Sequence, residues 1–171
     1  MALGAGWACA GARAQTTIPK SQGTTLTGTT VSFPDALKGK FGVLVVGFSH
    51  ASQGQVASWG RLLEADYGQT PNVTYFEIPM LAGAPKMLRG MIVKTMTKSV
   101  PAAEKPHFLP MTVGEPAWRA VAHYNKPDDA YVLIVDETGT VRWQIEGEAT
   151  DAAYADFKKN LASIMAVIVV P

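Results

Sequence analysis

One cysteine, Cys9, is the only thiol among the 171 residues, and it falls inside a short leader-like stretch. The body of the chain therefore has no dithiol pair, no peroxidatic thiol and no disulfide framework. An excess of one charge is also missing, since 15 Lys and Arg face 14 Asp and Glu for a net +1. That balance excludes nucleic acid as a partner class, because such binding needs a clustered basic surplus. Nor does any run reach the roughly 18–20 apolar residues that a membrane-spanning helix requires. The apolar stretch Ile164–Val170 is far too short.

What is present is an ordinary globular composition, 47% apolar and 17% charged, in a length that suits one domain. Met1 to Ala14 (MALGAGWACAGARA) is small and apolar and ends in Ala12-Arg13-Ala14, an A-x-A-like cleavage site before Gln15. It reads as a truncated secretory signal peptide that lacks its charged front. Export is expected, to the periplasm if the source is a Gram-negative bacterium; an N-terminus with no targeting role is the alternative. Gly6-Trp7-Ala8 lacks the aliphatic residue that would mark Cys9 for lipid attachment. Residues 15–30, rich in Thr, Gly, Ser and Gln, are expected as a flexible lead-in, 31–165 as the folded domain and 166–171 as an apolar tail.

Val31–Phe33 predicts a short strand closed by Pro34, and the continuous apolar run Phe41–Phe48 a strand buried on both faces of a mostly parallel sheet. Ser52–Tyr67 predicts a helix: Ser52 and Gln55 have capping-box spacing, Val56, Trp59, Leu62 and Leu63 form one stripe, and Gly68 stops it. Val73–Ile78 alternates as a strand does, and Pro85 opens a second helix to about Ser99. Pro101, Pro106 and Pro110 break the next stretch into loop, with a short extended piece around Phe108. A short helix from Pro116 to Tyr124 precedes a hairpin, Tyr131–Val135 and Thr140–Ile145, turning at Asp136–Gly139. Thr150 caps a last helix that buries Tyr154, Phe157, Leu161 and Ile164 or Met165. This order is that of a thioredoxin-like three-layer α/β/α domain with a mixed central sheet.

In such a domain a reactive thiolate sits at the N-terminus of the helix after the first central strand, where the helix dipole lowers its pKa. The stretch here is Phe48-Ser49-His50-Ala51-Ser52-Gln53-Gly54-Gln55, which holds no sulfur. A serine hydroxyl does not replace it without a positioned base.

The block Ala130-Tyr131-Val132-Leu133-Ile134-Val135-Asp136, with Gly139, Val141-Arg142-Trp143, Gly147 and Ala149-Thr150, resembles the thioredoxin-like (redoxin) family that contains the mitochondrial ATP synthase assembly factor and its bacterial relatives. Phe33-Pro34, Leu37-Lys38-Gly39-Lys40 and Val43–Phe48 fit the broader redoxin pattern. The resemblance implies a thioredoxin fold used without thiols, as a helper that engages another protein. Thioredoxin-like enzymes also carry a cis-proline just before the strand at Tyr131; Ala130 takes that place.

His50 and Ser52 stand where an anion or a peptide carboxylate would meet the helix N-terminus. The plainer alternative is that Ser52 only caps and His50 faces solvent. His107, His123, Asp128 and Asp129 match no compact ligand spacing, and neither a metal nor any other cofactor is expected. In the second helix Met87, Leu88, Met91, Ile92 and Met96 form a stripe beside Lys86, Arg89, Lys94 and Lys98. An ordinary helix packed on the sheet with a solvated basic face is expected there; a helix for an anionic membrane or an apolar partner is the alternative. Trp143 is expected to pack on the last helix, with Arg142 projecting outward.

The functional expectation is a non-redox protein that binds another protein or assists its assembly, at the cell envelope and close to a membrane. The expected contact residues are Ser49, His50, Ser52, Gln53, Gln55, Asp129, Ala130, Tyr131 and Arg142, with partner segments paired to the backbone. A thiol-free redoxin enzyme built around a perturbed His50, and a decayed paralogue, are the alternatives.

Overall fold

The computed structural model describes residues 15–168, so the leader-like segment with Cys9 and the last three residues of the apolar tail lie outside the described residues. The strand Phe41–Gly47 (β3) is buried at every position, as its unbroken apolar run requires. Alternation divides it: Val43 and Val45 face one layer, Leu44 and Val46 the other. Two preceding strands, Ser21–Thr24 (β1) and Thr30–Phe33 (β2), form an antiparallel hairpin.

Beyond β3 come helix Gln53–Tyr67 (α1), strand Val73–Pro79 (β4), helices Lys86–Ser99 (α2) and Glu115–Val121 (α3), strands Ala130–Val135 (β5) and Val141–Glu146 (β6), and helix Asp151–Ile168 (α4). The main sheet runs β4-β3-β5-β6, with β3 and β4 parallel and the other pairs antiparallel. Gly42 pairs with Val135 at one end of β3, and Gly47 with Ala130 at the other. A side chain on Gly42 would come within 2.6 Å of Leu37 and 2.8 Å of Val135, so this strand glycine is required by close approach.

One face of the sheet is covered by α1 and α4. Val43, Val45, Val73, Tyr75, Val132 and Ile134 meet Val56, Trp59, Leu63, Tyr154, Phe157 and Leu161 there. The opposite face holds Leu44, Val46, Phe76, Ile78, Leu133 and Val135 against Val31, Phe33, Leu109, Met111 and Trp118. These are the three layers expected. Trp143 packs on Phe157 with ring centroids 6.2 Å apart. Thr150 Oγ1 accepts the Ala153 N–H at 3.2 Å and so caps α4.

Three expectations need correction. Residues 15–30 are not a flexible lead-in: they carry β1, and Ile18 donates its N–H to Gly139 O at 2.9 Å while Val141 donates to Thr16 O at 2.8 Å. Backbone pairing orders this segment despite its few apolar side chains, and Ile18 itself is buried. The tail from residue 166 is not separate from the domain, since α4 continues through Ile168. Finally, α2 does not pack along its stripe. Only Met96 is buried, in a small cluster with Leu81 and Phe108, while Met87 is 95% and Met91 61% exposed.

The stacked and edge-on rings around Phe157 (Trp59, Tyr67, Tyr154 and Trp143) make it the hub of the α1–α4 layer. Phe157→Ala is expected to cost about 3–5 kcal/mol of unfolding free energy in a denaturant titration. Val167→Ala, at a position 73% exposed, should stay within about 0.5 kcal/mol of wild type.

Candidate functional site

The turn from β3 into α1 is closed on itself. Ser52 Oγ donates to Ser49 O at 3.0 Å, Ser52 N–H donates to Ser49 Oγ at 3.2 Å, and Ser49 Oγ donates to Pro127 O at 2.6 Å. Ser52 is already helical, with φ −75° and ψ −9°, and makes no side-chain cap, so the expected capping box does not form. Gln55 turns away from the helix end instead, and its Oε1 accepts the Ala130 N–H at 2.8 Å. The stretch where a thiolate would sit therefore carries two hydroxyls bound to backbone, Ser49 half-buried and Ser52 fully buried.

The fold does bring Ser49–Gln55 and Asp129–Tyr131 together, through the Ser49–Pro127 and Gln55–Ala130 bonds. Their exposure differs. His50 is exposed, and Ser49, Gln53, Gln55 and Asp129 are half-buried. Ser52, Ala130 and Tyr131 are buried. Ala130 spends both backbone groups internally, its N–H on Gln55 and its C=O on the Gly147 N–H at 2.8 Å. Backbone pairing of a partner at Ala130, as the thioredoxin arrangement suggested, would first have to displace Gln55. The Tyr131 hydroxyl accepts the Asn125 and Lys126 N–H groups at 3.0 and 2.8 Å, which holds the preceding loop.

Arg142 lies at the other end of the sheet. It flanks the Val135–Gly42 pair, five strand residues or about 16 Å from Gly47–Ala130. Its Nε and Nη2 donate to Asp136 Oδ2 at 2.8 and 2.6 Å. Burial pushes the Asp136 carboxyl up, but hydrogen bonds from Thr138, Thr140 and Arg142 outweigh it and hold the group below the ordinary carboxylate range. Arg142 is exposed as expected, yet its guanidinium is engaged in closing the hairpin.

Two depressions flank the first turns of α1. An open groove of about 540 Å³ runs past Gly54, Gln55 and Ser58 to Asp128, Glu148 and Thr150. On the other side a cleft of about 290 Å³ lies between α1, the end of β4 and the turn after α2, with Ser49, Gln53, Arg61, Glu77, Met96 and Glu104 among its walls. Glu77 is 0% exposed, and neither carboxyl oxygen has a hydrogen-bond partner. Gly60 of α1 makes room for it, because a side chain there would lie 2.3–2.5 Å from the Glu77 carboxyl atoms. The free edge of β4 is occupied as well: Glu77 N–H donates to His107 O at 2.9 Å, and Leu109 N–H donates to Glu77 O at 2.7 Å. This is the extended piece expected around Phe108.

Burial pushes the Glu77 carboxyl up to about 8; the Glu104 charge adds to this, Arg61 opposes it, and Glu64 contributes a smaller rise. Glu104, itself 6% exposed, is also raised, chiefly by burial. The sequence reading missed this cleft. Its one signal was an acid in phase with Val73 and Tyr75, on the helix-facing side of an otherwise apolar strand.

The histidines considered as ligands lie on opposite sheet edges. His107 stacks on Tyr75 at 4.2 Å and donates Nδ1–H to Tyr75 O at 3.0 Å, whereas His123 Nδ1 accepts from Gln144 at 2.7 Å. Burial holds the His107 ring below its ordinary range. Among the described residues no group of three or more His, Cys, Asp and Glu could hold a metal ion.

A neutral Glu77 has a pH signature. The unfolded chain releases its proton near the ordinary 4.5, while the fold retains it to about 8. Between those limits the folded state binds the extra proton, so stability is greatest at the acid end and declines as pH rises. Glu77→Gln, neutral throughout, is expected to remove most of this decline and so flatten Tm across the window. Thermal unfolding of both proteins from pH 5 to pH 8 checks it, and parallel curves would contradict a protonated Glu77.

By structure the chain is similar to the pneumococcal exposed lipoprotein thioredoxin Etrx1 from Streptococcus pneumoniae strain TIGR4, at 11% identity and TM-score 0.57, covering 82% of this chain and 98% of that one. It is similar to StoA from Bacillus subtilis at 12% identity and TM-score 0.57, covering 82% and 96%. BsSco, a member of the Sco family of cytochrome c oxidase assembly proteins, aligns at 12% identity and TM-score 0.58, covering 86% and 93%. These likenesses establish the thioredoxin-like fold. No curated protein matches by sequence. The ATP10 protein family, however, matches residues 12–164, which take in every strand, all but the end of α4 and both depressions beside α1. With the ATP synthase assembly-factor pattern of residues 130–150 placed as β5, the turn and β6, the chain belongs to the ATP10 protein family.

Proposed function

We propose that this protein is a non-redox assembly helper, exported to the cell envelope, that grips a membrane-associated protein partner with the face around the α1 tip. The observation that carries the reading is the self-satisfied Ser49–Ser52–Gln55 turn in a family of assembly factors. It retains the exposed surface of a thioredoxin site and replaces the reacting atom with a hydroxyl that no base activates. His50, Ser49, Gln53, Gln55 and Asp129 offer donors and acceptors along that face. BsSco, in which a disulfide switch is identified, belongs to a family of assembly proteins and shares the fold, which supports the assembly part of the reading alone.

Helix α2 supports the membrane part of the proposal. Met87, Leu88 and Met91 are exposed, and the helix carries Lys86, Arg89, Lys94 and Lys98 with no acidic residue. Arg89 is committed to the carbonyls of Ala82 and Ala84 at 2.7 and 3.0 Å, which leaves three lysines beside the apolar patch. Apolar side chains flanked by lysines suit an anionic lipid surface. No helix among the described residues is long and apolar enough to cross a membrane, so this contact would be peripheral.

The test is photo-crosslinking in the native cell from a probe at His50, with a probe at Arg142 as the control. One reproducible membrane-protein adduct from His50, absent from Arg142, is expected. Absence of any adduct overturns the assembly reading.

A further inference from the structure

We infer that the cleft between α1, β4 and the turn after α2 is a receptor for a lysine side chain of the partner, taking the ammonium group at Glu77 and Glu104. This rests on the proposal that the α1 tip receives a protein segment, and it specifies what that segment must carry. Three observations converge on it.

Glu77 is fully buried, both its oxygens lack partners, and it forms part of the cleft wall. A buried acid without hydrogen bonds is costly, and the fold goes further by leaving position 60 without a side chain to admit it. Such an arrangement has no protein partner in the free chain and leaves room for a donor from outside to complete it. Glu104, 6% exposed, is the second acid in the wall, so a group entering the cleft reaches Glu104 first and comes to the Glu77 carboxyl, which lies just beneath the surface against Gly60, when the wall gives. The cation already near them, Arg61, is exposed and forms no ion pair with either.

The rest of the wall fits the stem of the same ligand. Val56, Met96, Val100 and Phe108 are apolar and suit the methylenes of a lysine. Ser49 and Gln53, contact residues of the α1 tip, also line the cleft. A chain lying across that face could therefore lower one side chain into the cleft. Lysine suits the site better than arginine, because a compact ammonium with rotatable donors can serve two separately held carboxyls without the planar fork of a guanidinium.

The charged groups facing Glu77 are Arg61 and Glu64 from α1 and Glu104 from the turn. An ammonium brought among them favours ionised Glu77. Binding should therefore expel the Glu77 proton to solvent, and affinity should rise with pH between 6 and 8.

The probes are n-butylammonium, N-acetyl-lysine methylamide and its norleucine analogue, added to the folded protein while the Glu77 side-chain carboxyl carbon is followed by NMR. Both amines are expected to bind in the millimolar range, to shift that carbon toward the carboxylate position and to release protons. The norleucine analogue should do none of these. Glu77→Gln should weaken both amines at least tenfold, and Arg61→Gln should strengthen them. If butylammonium binds and the blocked lysine does not, the cleft takes free amines and the partner-lysine inference fails. If neither moves the Glu77 carbon, in wild type or Arg61→Gln, the cleft is no ammonium site and the inference fails outright. Crosslinking from His50 separates this from the assembly reading: an adduct unchanged in yield by Glu77→Gln overturns the lysine inference alone, whereas no adduct in the parent protein overturns the reading beneath it.

Discussion

One side-chain hydrogen bond joins the two segments on which the site depends: Gln55 on α1 accepts the N–H of Ala130, the first residue of β5. In a redox thioredoxin fold this junction must stay open for an incoming substrate. Here it is shut from both sides, since the Ala130 carbonyl is bonded to Gly147 and the hydroxyls of Ser49 and Ser52 are bonded to backbone. Burial makes these bonds consequential, because any of them broken without a replacement would strand a polar group away from water. The turn is thereby a rigid platform. Its exposed groups can bind, and its buried groups are already used.

The opposite logic holds a short distance away. Glu77 sits on the same helix-facing side of the sheet as Val73 and Tyr75, within a layer otherwise completed by aromatic and aliphatic packing. Where the α1 turn binds its Ser49 and Ser52 hydroxyls to backbone, the cleft leaves two carboxyl oxygens without a protein partner and shapes α1 around them through Gly60. On the proposed reading, the platform supplies the geometry of the contact and the neighbouring cavity its demand for a particular side chain.

Much of the fold was legible because it follows from periodicity. The unbroken run of β3, the stripe of α1 and the hairpin with its Asp136–Gly139 turn each declared themselves. What escaped was whatever depended on long-range pairing. β1 is polar on its face and is ordered by β2 and by the edge near Gly139, which no local pattern reveals. Gln55 had the spacing of a capping residue, but a buried N–H on a distant strand was the better partner. Ala130 and Tyr131 were correctly placed beside the α1 tip, yet burial removes them from its surface. Glu77 was overlooked because one acid in an apolar strand looks like an edge residue until the 107–111 segment covers that edge.

The exposed stripe of α2 was likewise visible as a pattern, and only its environment was misjudged. A helix with Met and Leu at helical spacing ordinarily covers a sheet, but here the sheet edge is already covered by chain, and α2 is left on a small cluster around Met96. The central physical claim, a helix tip locked by its own hydrogen bonds, is tested most directly by native-state amide exchange at Ala130 with and without Gln55→Ala. The account predicts that the Ala130 amide exchanges as slowly as the core of β5 in wild type and much faster in the variant, with the rest of β5 unchanged. Rapid exchange at Ala130 in the wild-type protein would contradict it.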